Sequence, residues 1–396
     1  MRSLFSQPIA WSFVLAIIVV GGLASAPACS MHAAAQDQQS TAQDQQQAKD
    51  DEDYDALINR AVARLLEIQE EDGAWPYEGV YRVRRQIPVG YRIGGTAIVC
   101  TALLYATPAD HESANAAIRR GIEIILKDME HPLMEPSTED AYDVRVWGHI
   151  YALDFFCRLK TADRLPDQTE QLEEKIDWLL AALLEEELSE GGWNYANRRA
   201  HAGFVSAPAL QALLWAKSTG RSVPEEVFQR GREAMLASRN EEGAFRYSGE
   251  ERERRPTELP GSVARSAACE TTLALLGDTQ RNELINAAIS AFHTHWDELE
   301  KRRQKTGTHE GPYQIAPYYF YYGHRYAGQA IALLPEKDRE TAYARLAQTL
   351  LKTKEDDDTW NDRVFDRSRA FGTAFSVMAL LGDRVPLPPA EKPAAE

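Results

Sequence analysis

The segment Gly95-Thr-Ala-Ile-Val-Cys-Thr-Ala-Leu-Leu104 is uncharged and apolar around nearly the whole circumference of a helix. A similar segment, Gly372-Thr-Ala-Phe-Ser-Val-Met-Ala-Leu-Leu381, lies near the other end of the chain. Helices of this kind must be covered by protein on most sides. The segment that begins at Tyr54 differs, because Leu57, Ala61 and Leu65 recur every three or four residues with charges between them. That spacing predicts an amphipathic helix.

The pair of an amphipathic helix and an apolar helix occurs six times. The six units begin near Tyr54, Glu112, Thr169, Val223, Gln280 and Glu336, so successive starts are 58, 57, 54, 57 and 56 residues apart. Strand alternation is essentially absent, and an open array of such units would need polar capping units at its ends. We therefore predict an all-α fold, a single α/α toroid of six helical hairpins, with twelve helices in two concentric layers. It covers residues 54–383, with units at 54–111, 112–168, 169–222, 223–279, 280–335 and 336–383.

A turn with a glycine and an aromatic residue joins the two helices of most units. The best copy is Gln69-Glu-Glu-Asp-Gly-Ala-Trp75. The turn residues are Gln69, Gly73 and Trp75 in unit one, Gly192 and Trp193 in unit three, Gly243 and Phe245 in unit four, Gly311 and Tyr313 in unit five, and Trp360 in unit six. This Gln-x-x-x-Gly-x-Trp turn resembles the repeat of squalene–hopene cyclases, which protein prenyltransferase β subunits share in degenerate form. We expect glycine to end the helix and the ring to pack on a neighbouring unit. Stacking of a sugar on the tryptophan is the alternative.

The resemblance implies two chemistries, and the sequence supports neither. A squalene cyclase needs an Asp-x-Asp-Asp acid and two fused barrels, whereas Asp356-Asp357-Asp358 lies in the turn of unit six, where we expect a solvated charge run. A prenyltransferase needs zinc held by Asp, Cys and His, and the required Asp-x-Cys pair is absent. We therefore predict a divergent single-toroid member without the family's catalytic acid or zinc ligands, and with no cofactor.

A second repeat places Arg-x-x-Gly at the start of three apolar helices, at Arg92, Arg145 and Arg369. We expect these helix starts to meet at one rim of the inner barrel. The candidate ligand-binding residues of this rim are Arg92, Asp143, Arg145, His149, His201, Tyr322, His324 and Arg369. One hypothesis is a cationic rim that binds a phosphate or carboxylate. The other is that each arginine pairs with an acid of its own loop, such as Asp143 or Asp366, and that the histidines are satisfied at helix ends.

We expect both ends of the chain to lie outside the fold. The apolar run from Trp11 to Leu23 predicts a secretory signal within residues 1–35, so we expect an exported, periplasmic or secreted protein. A lipid-anchored Cys29 or an uncleaved anchor is the alternative. Residues 36–53 read as a Gln- and Asp-rich tether, and residues 384–396 as a loose Pro- and Ala-rich tail.

Charge and composition limit the function further. The chain has 60 acidic and 44 basic residues, a net charge of −16, and no strong basic patch, which excludes duplex nucleic acid as a partner. Cys100, Cys157 and Cys269 lie in apolar runs, which predicts buried free thiols. The consecutive aromatic residues from Tyr318 to Tyr322 either pack or hold an isoprenoid or a sugar.

Three function classes remain. The first is an exported toroid that binds an apolar or amphipathic small molecule in its central cavity. The second is a polysaccharide lyase or hydrolase, because α/α toroids host both. The third is a protein-interaction scaffold. Whether the chain is an enzyme stays open, because one fold carries many kinds of site.

Overall fold

The computed structural model describes residues 53–136, 144–195, 200–248, 257–278 and 281–391. The expected signal, Cys29, most of the tether, Asp143 and the end of the tail lie outside the described residues. Residues from Asp53 onward form one compact unit.

The helices alternate as the sequence predicts. The outer helices are α1 (Tyr54–Glu67), α3 (Glu112–Met129), α5 (Pro166–Gln171) with α6 (Glu173–Glu185), α8 (Glu225–Ser238), α10 (Arg281–Thr294) with α11 (Trp296–Glu300), and α13 (Glu336–Leu351). The inner helices are α2 (Val89–Ala106), α4 (Arg145–Thr161), α7 (Gly203–Ser218), α9 (Val263–Leu275), α12 (Tyr319–Ala332) and α14 (Arg369–Leu381). The described part of the chain contains no β-strand, so the prediction of an all-α fold is confirmed.

The inner helices form a closed ring. Each contacts the inner helices of the preceding and the following unit, and α14 contacts α2. Each outer helix packs against the inner helix of the unit before it, and α1 completes this pattern by packing on α14. The predicted toroid with two concentric layers is therefore confirmed.

Burial follows the two sequence patterns. On α1, Leu57, Ala61 and Leu65 are fully buried and Ile58 and Val62 nearly so, while Asn59, Arg60 and Ala63 are exposed, as expected for an outer helix. On α2 every residue from Ile93 to Leu104 is buried. Helix α2 is long and apolar enough to cross a membrane by composition alone, but most of it is buried within the toroid. It is a core helix, and the described cysteines are buried free thiols as predicted.

The tryptophans of the turns have a structural role. The indole Nε1 of Trp75 donates to the carbonyl of Leu65 at 2.8 Å, and that of Trp193 donates to Leu183 at 2.7 Å. Trp360 makes the same bond ten residues upstream, and all three rings are at most 1% exposed. Burial of the rings excludes stacking of a sugar on them, so the packing alternative is correct.

The turn glycines adopt the left-handed conformation that the motif requires. Two residues before the aromatic residue, Gly73, Gly191 and Gly243 have φ of 95°, 87° and 80°, and Gly192, next to Trp193, has φ of 76°. In unit six Asp358 takes this place with φ of 60°. Asp358 also pairs with Arg60 of α1 at 2.8 Å. The acidic run of unit six therefore joins the last unit to the first and does not line the barrel.

The turn of unit five departs from the prediction. The amide of Glu310 donates to the carbonyl of Ile315, which matches the bond that the amide of Glu70 makes to Ala74 just before Trp75. Ala316, fully buried, therefore occupies the position of the aromatic residue. Tyr313 is only partly buried, and Gly311 precedes Pro312 outside the left-handed region, so neither residue has the role predicted for it.

The tail also differs from expectation. Residues 385–391 cross the end of the barrel where the inner helices finish. Val385 is 2% exposed, the amide of Glu391 donates to the carbonyl of Leu275 at 2.8 Å, and the Glu391 carboxylate pairs with Lys217 at 2.5 Å. We name residues 385–391 the strap.

Candidate functional site

The Arg-x-x-Gly repeat binds the turn of its own unit instead of a ligand. Arg92 pairs with Asp72 at 2.8 Å, and Arg369 pairs with Asp357 at 2.7 Å; each acid lies three residues before the tryptophan of the turn. A Cβ added at Gly372 would lie 2.4 Å from the carbonyl oxygen of Trp360. The arginines therefore have the loop-pairing role.

The residue after each of these glycines completes the contact. The backbone amide of Trp75 donates to Thr96 Oγ1 at 3.0 Å, and that of Trp360 donates to Thr373 Oγ1 at 3.0 Å. One Arg-x-x-Gly-Thr motif thus supplies an ion pair, a close backbone approach and a hydroxyl acceptor to the same turn.

Unit two has no such turn, and its motif binds a different partner. His149 Nδ1 lies 2.9 Å from Glu186 Oε2, and Arg145 Nε lies 3.4 Å from Glu186 Oε1. Arg145 also donates to the carbonyl of Glu135 at 2.6 Å, and the ring of His149 meets Trp178 edge to face. Trp178 belongs to outer helix α6, so His149 lies between the layers.

The other rim candidates are buried as well. His324 accepts a hydrogen bond from Trp296 Nε1 at 2.9 Å, and its Nδ1 lies 2.8 Å from the carbonyl of Phe320; burial lowers its pKa to about 3. Tyr322 donates to the carbonyl of Phe204 at 3.0 Å. His201 is 8% exposed, and burial lowers its pKa. The described rim candidates are not gathered into one anion site.

A different repeated position does converge. This position lies two residues after the buried aromatic residue of the turn, or after Ala316 in unit five. It is occupied by a tyrosine in units one, three, four and five, namely Tyr77, Tyr195, Tyr247 and Tyr318, and by Asp362 in unit six. All five precede the start of an inner helix, so they lie at the end of the barrel where the inner helices begin, which we name the mouth. The sequence carries this signal, but it is visible only once the turns are aligned by their hydrogen bonds.

Aromatic rings form the floor of the mouth. Five partly buried aromatic residues of units one to five form it: Tyr91, Trp147, Tyr195, Tyr247 and Tyr318. Tyr91 meets Trp147 edge to face with centroids 5.3 Å apart, and the Tyr195 and Tyr318 hydroxyls lie 2.8 Å apart. The amide of Val146 donates to the carbonyl of Tyr195 at 3.1 Å, which ties the two groups of rings together. We name these five rings the aromatic floor.

Unit six contributes a buried carboxyl group. Asp362 is fully buried, and its Oδ2 accepts a hydrogen bond from the Tyr77 hydroxyl at 3.1 Å. The same Tyr77 hydroxyl accepts a hydrogen bond from Arg363 Nε at 3.3 Å. Asp362 Oδ1 has no hydrogen-bond partner among the described residues. Burial raises the pKa of Asp362 to about 6, although the nearby charge of Arg363 opposes the shift.

Below the floor the barrel is nearly filled. Gln211 Nε2 lies 3.0 Å from both Thr272 Oγ1 and Gln329 Oε1, so the two glutamines meet across the barrel. The remaining cavity has a volume of about 20 Å³ for the centre of a water molecule, and Asp154, Arg158 and Arg325 are among its lining residues. Such a space holds about one water molecule. An isoprenoid chain does not fit there.

Solved structures share this fold. A type II terpene cyclase, MstE from Scytonema, solved with its product merosterolic acid A, is 16% identical with a TM-score of 0.54, over 84% of this chain and 97% of that chain. The α-1,6-mannanase GH76A of Salegentibacter sp. HEL1_6, solved with α-1,6-mannotriose, is 14% identical with a TM-score of 0.58, over 83% of this chain and 100% of that chain. No family model and no curated protein matches the sequence. At these identities the likeness shows the fold alone: the chain is an α/α toroid, the fold that both the cyclase and the mannanase have.

Proposed function

We propose that this protein binds a saccharide across the aromatic floor. The observation that carries the proposal is that each of five units has a partly buried tyrosine or tryptophan residue at the same end of the barrel. Such rings offer a large, rigid apolar surface with polar groups at their edges, and they lose little conformational entropy on binding. The two faces of a sugar ring, with apolar C–H groups and hydroxyls at the rim, match that surface.

The same geometry favours a sugar over an isoprenoid. A long apolar chain needs an enclosed apolar chamber to be removed from water, whereas the centre of the barrel leaves about 20 Å³. The mannanase likeness, in a protein solved with mannotriose, agrees with a saccharide. A protein-docking role has less support, because Val364 is the only large hydrophobic residue that is exposed in the described part of the chain. Export through the expected signal of residues 1–35 belongs to this proposal, because it would bring the toroid to extracellular polysaccharides.

A glycan array tests the proposal. We expect the wild-type protein to bind a defined saccharide, and Trp147→Ala combined with Tyr318→Ala to weaken that binding about tenfold or more, the typical loss at buried aromatic contacts. Trp178→Ala is the matched control, since it removes a partly buried tryptophan from the outer layer. Binding that survives the double substitution would contradict the proposal, as would a co-purified lipid in native mass spectra with no glycan bound.

Proton transfer to the bound saccharide is a second candidate function, favoured by the buried acid below the floor. Asp362 holds its proton to about pH 6 and bonds Tyr77, whose ring centroid lies 5.3 Å from that of Tyr91. A carboxyl group with a pKa near the working pH is suited to general acid catalysis. Loss of turnover but not of binding in Asp362→Asn would support this role; binding without turnover in the wild type would leave a binding protein.

A further inference from the structure

A hairpin at the mouth carries two adjacent arginines at its tip. It occupies residues 78–88, between the turn of unit one and the start of α2. The amide of Val83 donates to the carbonyl of Gln86 at 3.1 Å, and the amide of Gln86 donates to the carbonyl of Val83 at 2.9 Å. Arg84 and Arg85 are therefore the two central residues of a tight two-residue turn. We name residues 78–88 the arginine hairpin.

The backbone of this turn is unfavourable for arginine. Arg84 and Arg85 have φ of 50° and 67°, so both lie in the left-handed region, where a Cβ comes too close to the following carbonyl oxygen. Two-residue turns with positive φ at both central positions strongly prefer asparagine and glycine there. The chain thus keeps two arginines where smaller residues would be more stable. Such costs persist mainly at functional sites.

The two tip arginines carry unbalanced charge. Both Arg84 and Arg85 are exposed, and neither side chain forms a hydrogen bond or an ion pair with another described residue. Arg82 of the same hairpin, by contrast, pairs with Glu78 at 2.7 Å. Three arginines and one acid leave the hairpin with 3 − 1 = 2 positive charges. Exposed charges are screened beyond about 8 Å at physiological salt, so the overall charge of −16 does little to cancel this local excess.

The base of the arginine hairpin is fixed beside the aromatic floor. The amide of Tyr77 donates to the carbonyl of Tyr91, a residue of the floor, at 3.1 Å, which joins the chain on either side of the hairpin. The Arg82 guanidinium lies 5.5 Å from the centroid of the Phe365 ring of unit six. Arg84 is seven positions after Tyr77, and a chain that spans at most about 3.5 Å per residue keeps it within about 25 Å of Tyr77.

Building on the proposed saccharide binding, we propose that the ligand is an acidic polysaccharide. Its sugar rings lie on the aromatic floor, and its carboxylate or sulfate groups bind Arg84 and Arg85. A guanidinium presents parallel N–H donors that match the oxygens of such an anion. One exposed ion pair contributes little. A polymer that carries an anion on many sugar units can bind both arginines and the floor at once, and each contact then raises the effective concentration for the next.

A glycan array that presents each polysaccharide in an acidic and a neutral form tests the proposal. The pairs are polygalacturonate with its methyl ester, and dextran sulfate with dextran. We expect the acidic form of at least one pair to bind about tenfold more tightly than the neutral form, and the pair that responds distinguishes carboxylate from sulfate. Arg84→Gln combined with Arg85→Gln should remove this preference. Lys337→Gln combined with Arg345→Gln removes the same charge from exposed positions of α13 and should retain it.

The outcomes separate this proposal from the one on which it rests. Equal binding of the acidic and neutral forms would overturn the acidic ligand and leave saccharide binding intact. Binding of polyglutamate as tightly as an acidic polysaccharide would also overturn it, because charge without sugar would then suffice. Absence of binding to every saccharide would instead refute the proposed function itself.

A second variant separates recognition from folding. Arg84→Asn combined with Arg85→Gly introduces the residues that the turn prefers. We expect it to raise the Tm by about 2 °C, because the left-handed conformation no longer opposes a long side chain, and to reduce binding of the acidic form to that of the neutral one. A lower Tm would show that the arginines serve the fold, and unchanged binding of the acidic form would show that they do not contact the ligand. Either result contradicts the proposal.

Discussion

Replacing Asp362 with asparagine should change how the stability of the toroid depends on pH. The Asp362 carboxyl is fully buried, one of its oxygens has no hydrogen-bond partner among the described residues, and its pKa rises from 3.8 to about 6. Asparagine has the shape of the protonated acid and keeps an acceptor for Tyr77, but it cannot ionise. The substitution therefore isolates the cost of a buried carboxylate.

The magnitude follows from the shift in pKa. A rise of roughly 2 units corresponds to about 3 kcal/mol between the protonated and ionised states. Because the folded pKa is raised, Asp362 contributes this stability in full below about pH 4, and the contribution is lost as the pH rises through about 6. Between about pH 4 and pH 7 the free energy of unfolding of Asp362→Asn should therefore gain about 2 kcal/mol relative to the wild type.

Urea denaturation followed by tryptophan fluorescence, at several pH values across this interval, measures the difference. Comparing the two proteins at each pH cancels the titration of every other group, and any constant effect of the asparagine amide cancels as well. Asp356→Asn, which replaces an exposed carboxyl of the same unit, is the control. A difference between Asp362→Asn and wild type that stays constant from pH 4 to pH 7 would refute the claim that Asp362 is destabilised when ionised.

Further predictions concern the contacts that hold the ring. Gly372→Ala should lower the free energy of unfolding by about 1–3 kcal/mol, because the new Cβ would lie 2.4 Å from the Trp360 carbonyl; Gly328→Ala, whose nearest neighbour would be 3.5 Å away, should cost less in the same urea titration. Thr373→Val should cost about 1–3 kcal/mol, since it leaves the buried Trp360 amide without its acceptor. Truncation after Arg384 removes the strap and should lower the Tm in calorimetry; an unchanged Tm would show that the strap adds no stability.

The architecture was predictable because packing imposes it on many residues at once. An apolar helix such as α2 has no stable position outside a core, and six copies paired with amphipathic helices leave few arrangements other than a closed ring. The helix starts agree closely: α3 begins at Glu112 and α13 at Glu336, the residues at which the sequence places the units. Agreement of pattern, period and burial makes such a fold readable from one sequence.

The candidate site was less predictable because a structural motif looked like a functional one. Arginine, glycine and a polar residue at the start of several inner helices suggested a cationic rim, whereas Arg92 and Arg369 bind the acids of their own turns. Because these arginines recur at equivalent positions, a contact that recurs in each unit is their first explanation. In unit five Ala316 replaces the aromatic residue of the turn. Without that aromatic residue the turn of unit five cannot be aligned with the others from the sequence, and Tyr318 is not recognised as the equivalent of Tyr77.

Departures from the repeat are better guides to function than the repeat itself. At the position where four units place a tyrosine, unit six places Asp362. The substitution instead introduces a carboxyl group that is destabilised when ionised at neutral pH, with one oxygen unsatisfied. Arg325 is a comparable case, a nearly buried charge with no hydrogen bond or ion pair to another described residue. Natural chains retain such costly local choices where activity requires them. If Asp362→Asn both stabilises the toroid above pH 6 and abolishes turnover on the bound saccharide, the cost and the function belong to the same carboxyl group.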